Sequence, residues 1–198
     1  MTTQREFHEL AVHVGALLDR EAITVAEGGC IFAKFIQEQL GCSRVTIWLL
    51  DHQSDTAGAA RTMRRFAGFD AVADSRITEP AELPDAECAA YFDALASEGA
   101  FVSDDCLADE RLAAMRDSYL LPNDIRASMD ATIAFNGAAR GVICCAQQGA
   151  VRHWSRQELA LLKRCAAEIS LRRARRSSRN GAALDVVNEL VQKMTAPR

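Results

Sequence analysis

The sequence predicts an α+β fold, one mainly antiparallel sheet with helices outside it at both ends of the chain. Three observations predict it. The stretch SMDATIAFNGAARGVICCA, Ser128 to Ala146, sets two runs rich in β-branched and apolar residues on either side of Asn136-Gly137, which reads as strand, turn and strand. RVTIWLLD, Arg44 to Asp51, is a first strong strand, and the polar turn His52 to Gly58 leads from it to a second strand near Ala60 to Ala67. Phe7, Leu10, Val14, Leu17 and Leu18 near the start, and Leu159, Leu162, Ala166 and Ile169 near the end, recur at helical spacing.

Taken in order, Arg5 to Leu18 is an amphipathic helix and Glu21 to Leu40 a second, stopped by Gly41 and weakened in its middle by Gly28 and Gly29. After the first hairpin, Gly68 to Pro84 reads as a loop containing Pro80 and Pro84. Asp85 to Ser97 is a helix with Cys88, Tyr91, Phe92 and Leu95 on one face, ended by Gly99. Ala100-Phe101-Val102 is a short strand running into Asp104-Asp105, and Asp109 to Tyr119 is a short helix before Pro122. In the central hairpin Met129, Ala131, Ile133 and Phe135 fall on one face, and Ser128, Asp130, Thr132 and Ala134 on the other. The second run, Gly141 to Ala146, is apolar throughout and therefore covered on both faces in mid-sheet. A small polar face beside such a strand is where a pocket forms. The last helix opens at Ser155, with Glu158 completing a capping box, and continues into Arg172, Arg173, Arg175, Arg176 and Arg179. Asn180-Gly181 interrupts it, and Ala182 to Met194 is a further amphipathic stretch.

At 198 residues, with 49% hydrophobic and 25% charged, the composition is globular and excludes a disordered chain. A net charge of −4 gives no global attraction to nucleic acid or to an anionic membrane. The arginines from Arg172 to Arg179 form a local basic cluster, but with no recognition helix or interleaved aromatics they read as a solvated helix end. Seven cysteines, an odd number with no CxxC pair and no signal peptide, point to reduced thiols in a cytoplasm. No stretch reaches the length of a membrane span. Cys144 and Cys145 are adjacent, so their side chains point to opposite faces. No Ser-His-Asp or Cys-His arrangement, HExxH or phosphate loop appears, so the sequence reads as a non-enzyme.

From LGCSRVTIWLLD (Leu40 to Asp51), through Tyr91 to Leu95, Val102 to Asp105, Asp109 to Arg111, Tyr119-Leu120, Ser128-Met129 and Gly141 to Cys144, to WSRQEL (Trp154 to Leu159), the chain resembles a GAF domain. This is the small-molecule-binding module of bacterial sensor kinases, phosphodiesterases and diguanylate cyclases. The resemblance covers about residues 22–172, with an amino-terminal amphipathic helix at 1–21 and a basic helical extension or connector at 173–198. It implies a central sheet of five or six mainly antiparallel strands, terminal helices on one face, and short helices and loops covering a pocket on the other. It also implies homodimers built from the terminal helices, an output domain of kinase or diguanylate cyclase type downstream, and a chain that is a fragment of a longer sensor.

The same resemblance implies that the ligand-binding residues are Trp48, Phe101, Asp104, Asp105, Arg111, Tyr119, Ser128, Asp130 and Thr132. Each polar member has a structural reading beside it. Asp104 and Asp105 also suit turn or helix caps, and Arg111 a solvated helix. Asp130 is the sharpest, because a carboxylate on an interior strand needs a partner or a proton. The cofactor is not identified. Members that bind cyclic nucleotides carry Asn-Lys, Phe and Asp-Glu where this chain has Gln147-Gln148, Trp154, Glu158 and Leu159, which argues against those ligands. Members that attach a bilin need a cysteine beside a histidine, and none is adjacent here. The expectation is a cytoplasmic sensory domain for bacterial signal transduction. The alternatives are a structural dimerisation module whose pocket is filled by Phe101, Trp48 and Met129, and a cysteine-based redox sensor or reductase.

Overall fold

The computed structural model describes residues 2–52, 61–135 and 138–172. The Asn136-Gly137 turn, most of the polar turn after His52, Arg173 to Arg179 and the Ala182 to Met194 stretch lie outside them. Helices α1 (Thr2–Asp19) and α2 (Val25–Leu40) lead into strands β1 (Arg44–His52), β2 (Arg61–Asp70), β3 (Ser75–Ile77) and β4 (Glu82–Pro84). Then come α3 (Asp85–Glu98), β5 (Ala100–Ser103), a 3₁₀ helix (Glu110–Met115), a π turn (Arg116–Leu120), β6 (Ile125–Phe135) and β7 (Ala138–Gln148). A last helix, α4, occupies 156–172. The seven strands form one sheet in the order β3-β2-β1-β7-β6-β5, with β4 also paired to β2, and every pairing is antiparallel.

Three expectations change. The stretch from Gly68 to Pro84 is not a plain loop: β2 runs on to Asp70, and β3 and β4 pair back onto it. Strands of three residues are too short to show a period, so backbone pairing to the β2 edge creates them. Helix α2 starts at Val25 rather than at Glu21, because Thr24 caps it: the Glu27 backbone N–H donates to Thr24 Oγ1 at 3.2 Å and the Thr24 N–H to Glu27 Oε2 at 2.7 Å. The single helix expected from Asp109 to Tyr119 is split into the 3₁₀ and π segments, with Asp109 accepting from the Arg111 N–H at its start.

Strand alternation divides the interior in two. Val45 and Ile47 of β1, Met129, Ala131 and Ile133 of β6, and Ile143 and Cys145 of β7 pack under Phe7 of α1, Ile36 of α2 and Leu162 of α4. Trp48, Val142 and Ala146 face the opposite way, against Tyr91 and Leu95 of α3 and Leu112, Met115 and Leu120 of the short helices. Strand β7 is covered on both faces, as its unbroken apolar run requires.

The helix side is fastened by one arginine. Arg152 Nη2 donates to Leu40 O at 2.6 Å and to Glu158 Oε1 at 2.7 Å; Nη1 donates to Gly41 O at 3.0 Å and to Gln147 Oε1 at 3.1 Å. Its guanidinium also stacks 4.3 Å from the centre of the Trp154 ring. One cation thus closes the carboxyl end of α2, the end of β7 and the start of α4, where the Ser155–Glu158 capping box forms as its sequence predicts.

Gly28 faces Val14 and Leu18 of α1, Gly29 faces β2 where α2 crosses the sheet, and the helix is continuous through both. A Cβ on Gly29 would lie 2.7 Å from Ala67 Cβ and 3.0 Å from the Phe66 ring. Alanine improves helix propensity by about 1 kcal/mol, whereas overpacking costs about 1–3 kcal/mol, and Ala67 Cβ is fixed to the β2 backbone. Gly29→Ala is therefore expected to lower the urea midpoint, by the equivalent of up to about 2 kcal/mol. A raised midpoint would mean that α2 slides freely over β2.

Candidate functional site

The face of the sheet away from α1, α2 and α4 holds a cavity of about 40 Å³. Its floor is built by alternation: Arg44, Thr46 and Trp48 from β1, Ser128 and Asp130 from β6, and Cys144 and Ala146 from β7. Its cover is Leu112, Met115, Tyr119 and Leu120 from the short helices, and its far wall is Tyr91 of α3 with Phe101 of β5. Trp48 is pinned in place by donating from Nε1 to Thr46 Oγ1 at 2.8 Å, and Tyr119 meets its ring edge-on at 5.9 Å. Tyr91 and Phe101 pack edge-on at 5.0 Å. At about 40 Å³ the space takes a water or two, and Trp48 and Phe101 fill most of the rest. Met129, which the filled-pocket alternative also requires, lies on the opposite face.

Asp130 is the chemical centre of this space. It is 2% exposed, accepts from Tyr91 Oη at 2.8 Å and from Ser128 Oγ at 2.7 Å, and makes no ion pair among the described residues. Burial pushes its carboxyl up to about 7, against the two hydroxyl donors that favour the ionised form. Tyr91 is pushed well above its ordinary value, by burial and then by the Asp130 charge. The Cys144 thiol, 3.6 Å from Tyr91 Oη, rises for the same two reasons. Cys145 lies behind the sheet in the helix-side core, as adjacency on a strand dictates. None of the seven cysteines is exposed, and burial raises Cys106 and Cys165 to about 12, which leaves both as thiols at neutral pH.

Of the nine residues expected at the pocket, Trp48, Phe101, Tyr119, Ser128 and Asp130 are brought together. The other four stand elsewhere and do structural work. Asp104 accepts from the Trp154 N–H at 3.1 Å and pairs with His153 at 2.6 Å. Asp105 accepts from the Leu107 N–H at 3.2 Å and faces Arg126 at 3.7 Å. Arg111 is held by Asp109 at 2.6 Å and by Val102 O at 3.0 Å, with its guanidinium over the outer face of Phe101. Thr132 donates to Gly99 O at 3.1 Å. The capping readings of the two aspartates describe them best.

Sequence reasoning missed Arg44, Thr46, Tyr91 and Cys144. The first two were available by counting back in twos from Trp48, and Cys144 likewise from Ala146. Tyr91 carried only a helix-core signal.

The sequence profile of the GAF domain matches residues 31–172. The chain belongs to the GAF domain family. The match starts inside α2 and ends with the described part of α4. No curated protein matches the chain. Among solved structures, the GAF domain here is similar to the phycocyanobilin-bound GAF domain of a cyanobacterial phytochrome, at 13% identity and a TM-score of 0.64 over 85% of this chain and 94% of that one. It is similar to the blue-light-absorbing form of the Thermosynechococcus elongatus PixJ GAF domain, at 19% identity and a TM-score of 0.60 over 85% and 94%. It also resembles the chromophore-binding domain of Stigmatella aurantiaca bacteriophytochrome, at 13% identity and a TM-score of 0.58, covering 83% of this chain and 59% of that one. At these identities the likeness is one of fold.

A carboxyl raised from 3.8 to about 7 makes the folded GAF domain bind its proton more tightly than the unfolded chain does. Stability is then highest below pH 4 as far as this group is concerned, and falls as pH rises from about 4 to 7, by up to roughly 4 kcal/mol in total. Asp130→Asn removes that slope. Urea unfolding of both proteins from pH 4.5 to 8 should show a declining difference for the parent relative to the variant; parallel curves would mean that Asp130 is ionised in the fold at no cost.

Proposed function

We propose that this GAF domain is a small-molecule-binding sensory domain of bacterial signal transduction, working in the cytoplasm as a homodimer through its terminal helices and feeding an output domain of kinase or diguanylate cyclase type. The observation that carries the reading is Asp130: a carboxyl, buried with no ion-pair partner among the described residues, beside Tyr91, Ser128 and Cys144 in a cavity whose remaining walls are mostly aromatic and apolar, with Arg44 and Thr46 at the β1 side. Burying a carboxyl is costly, and a group whose pKa is strongly shifted by burial in a cavity is a candidate functional residue. Convergent polar groups within apolar walls are also the usual form of a small-molecule site. No helix among the described residues is long and apolar enough to cross a membrane.

The solved relatives narrow the ligand by contrast. Phycocyanobilin is bound by one of them, whereas the cavity here is about 40 Å³ against the roughly 300–1,000 Å³ of sites for drug-sized ligands. The cysteines are buried or half-buried, and none is paired with a histidine among the described contacts. A ligand smaller than a tetrapyrrole, admitted as Leu112, Met115 and Tyr119 move outward, suits the site. The structural-module reading is favoured by one observation, that Trp48 and Phe101 already occupy most of the space.

Thermal unfolding against a panel of nucleotides, amino acids, organic acids and aromatic metabolites separates the two. A ligand at a hundred times its Kd adds about 2.7 kcal/mol, which is about 5–10 °C in Tm for a chain of this size. The expected result is a saturable rise of that order that is lost in Asp130→Asn. No rise with any compound, and no change in Trp48 fluorescence in a Trp154→Phe background, would leave the structural module.

A further inference from the structure

Arg44 is 8% exposed, lines the cavity, and has a buried Nε with no hydrogen-bond partner. Its Nη1 donates to Asn123 Oδ1 at 2.8 Å, a neutral acceptor, and no carboxylate pairs with it among the described residues. A guanidinium stays charged at any physiological pH, so the cavity wall carries a buried positive charge without a counter-ion. Removing one partner from a buried ion pair leaves this arrangement, and it is costly unless something supplies the missing charge. A second cation adds to it. The Arg65 guanidinium lies 5.8 Å from the centre of the Trp48 ring, and its pKa is lowered by burial and by the Arg44 charge.

The register fixes where this cation stands relative to the carboxyl. Arg44 faces Ala146, which faces Ser128; Thr46, two residues on, faces Cys144, which faces Asp130. The Arg44 and Asp130 backbones are thus two strand spacings apart and offset by two residues, about 12 Å in all. On the floor between them the register sets Thr46, Ala146, Cys144 and Ser128, and Trp48, Met115 and Tyr119 line the same cavity. On the sensory reading above, which this step presupposes, we infer that the ligand is an aromatic carboxylic acid, its carboxylate on Arg44 and a hydrogen-bond donor at its far end on Asp130. The carboxylate belongs at the Arg44 end because the guanidinium there offers charge-assisted donors and lacks a counter-ion among the described residues. The donor, a phenol O–H or indole N–H, finds the Asp130 oxygens already turned inward by Tyr91 and Ser128. The aromatic body takes the space that Met115 and Tyr119 leave. Release of the cover is tied to the same contact, since Asn123, the present acceptor for Arg44, donates from Nδ2 to Tyr119 O at 2.8 Å.

Calorimetric titration of the full chain tests this with acid and alcohol pairs: 4-hydroxyphenylacetate beside 2-(4-hydroxyphenyl)ethanol, and indole-3-acetate beside indole-3-ethanol. The acid of at least one pair should bind about 10- to 100-fold more tightly than its alcohol, the scale of one charge-assisted hydrogen bond. Arg44→Gln should remove that difference, so that acid and alcohol bind the variant about equally. The parent-protein comparison needs no variant, so a poorly folding Arg44→Gln does not blunt the test. Alcohols that bind as well as the acids would overturn the assignment and keep the pocket. A neutral or cationic ligand from the wider panel, with neither acid binding, would do the same. Silence from every compound would overturn both this assignment and the sensory reading beneath it.

Discussion

The constraint on which the rest of the structure depends is that β7 has no solvent-facing side. It lies between β1 and β6 in the sheet and between two cores across it, so successive residues report to different halves of the molecule. Ile143 and Cys145 belong to the helices, while Val142, Cys144 and Ala146 belong to the cavity side. Close packing leaves little slack between them. A change at Asp130 or Cys144 is therefore one backbone step from the side chains that seat α1, α2 and α4.

The two halves are built to different stiffness. On the helix side, long regular helices are joined by capping boxes at Thr24 and Ser155, and Arg152 draws three elements together through four hydrogen bonds. On the cavity side the cover is a six-residue 3₁₀ helix followed by a π turn, the first with poorer hydrogen-bond geometry than an α-helix and the second frequent at functional sites. Leu112, Met115 and Leu120 are its buried anchors. The segment that yields first is the one that shields the buried carboxyl. The segment that holds is the one that carries the termini.

Legibility in the sequence followed the length of the signal. The hairpin of β6 and β7, the two faces of β6, and α4 with its cap were legible because each rests on eight or more patterned residues or on a specific capping pair. The strands β3 and β4 were not, since three residues carry no period. At the site, Asp130 stood out as a charge on an interior strand face. Asp104, Asp105, Arg111 and Thr132 were drawn in by likeness to a family; each bonds to backbone instead, Asp105 to the local Leu107 N–H and the other three to segments 9 to 50 residues away, which no local pattern shows. Tyr91, one of the two hydroxyl donors to Asp130, sits 39 residues away in sequence, and only the tertiary fold brings the two together.

The smallness of the cavity bears on mechanism as much as on ligand size. A preformed void would take up a ligand with the sheet and cover unchanged, and a ligand that binds two states equally shifts neither, however tight it is. Here Trp48, Phe101, Met115 and Tyr119 occupy the space, so a bound state must be a different packing of the same residues. Opening the cover lowers the apparent affinity by the fraction of molecules that are open. That same cost guarantees that the ligand favours one state over the other, which is the condition for moving the helices across the sheet. Arg44 makes the requirement concrete: its buried charge now rests on Asn123 at the end of the cover, and an anion that replaced Asn123 would exchange a neutral acceptor for a counter-ion while freeing the segment that must move.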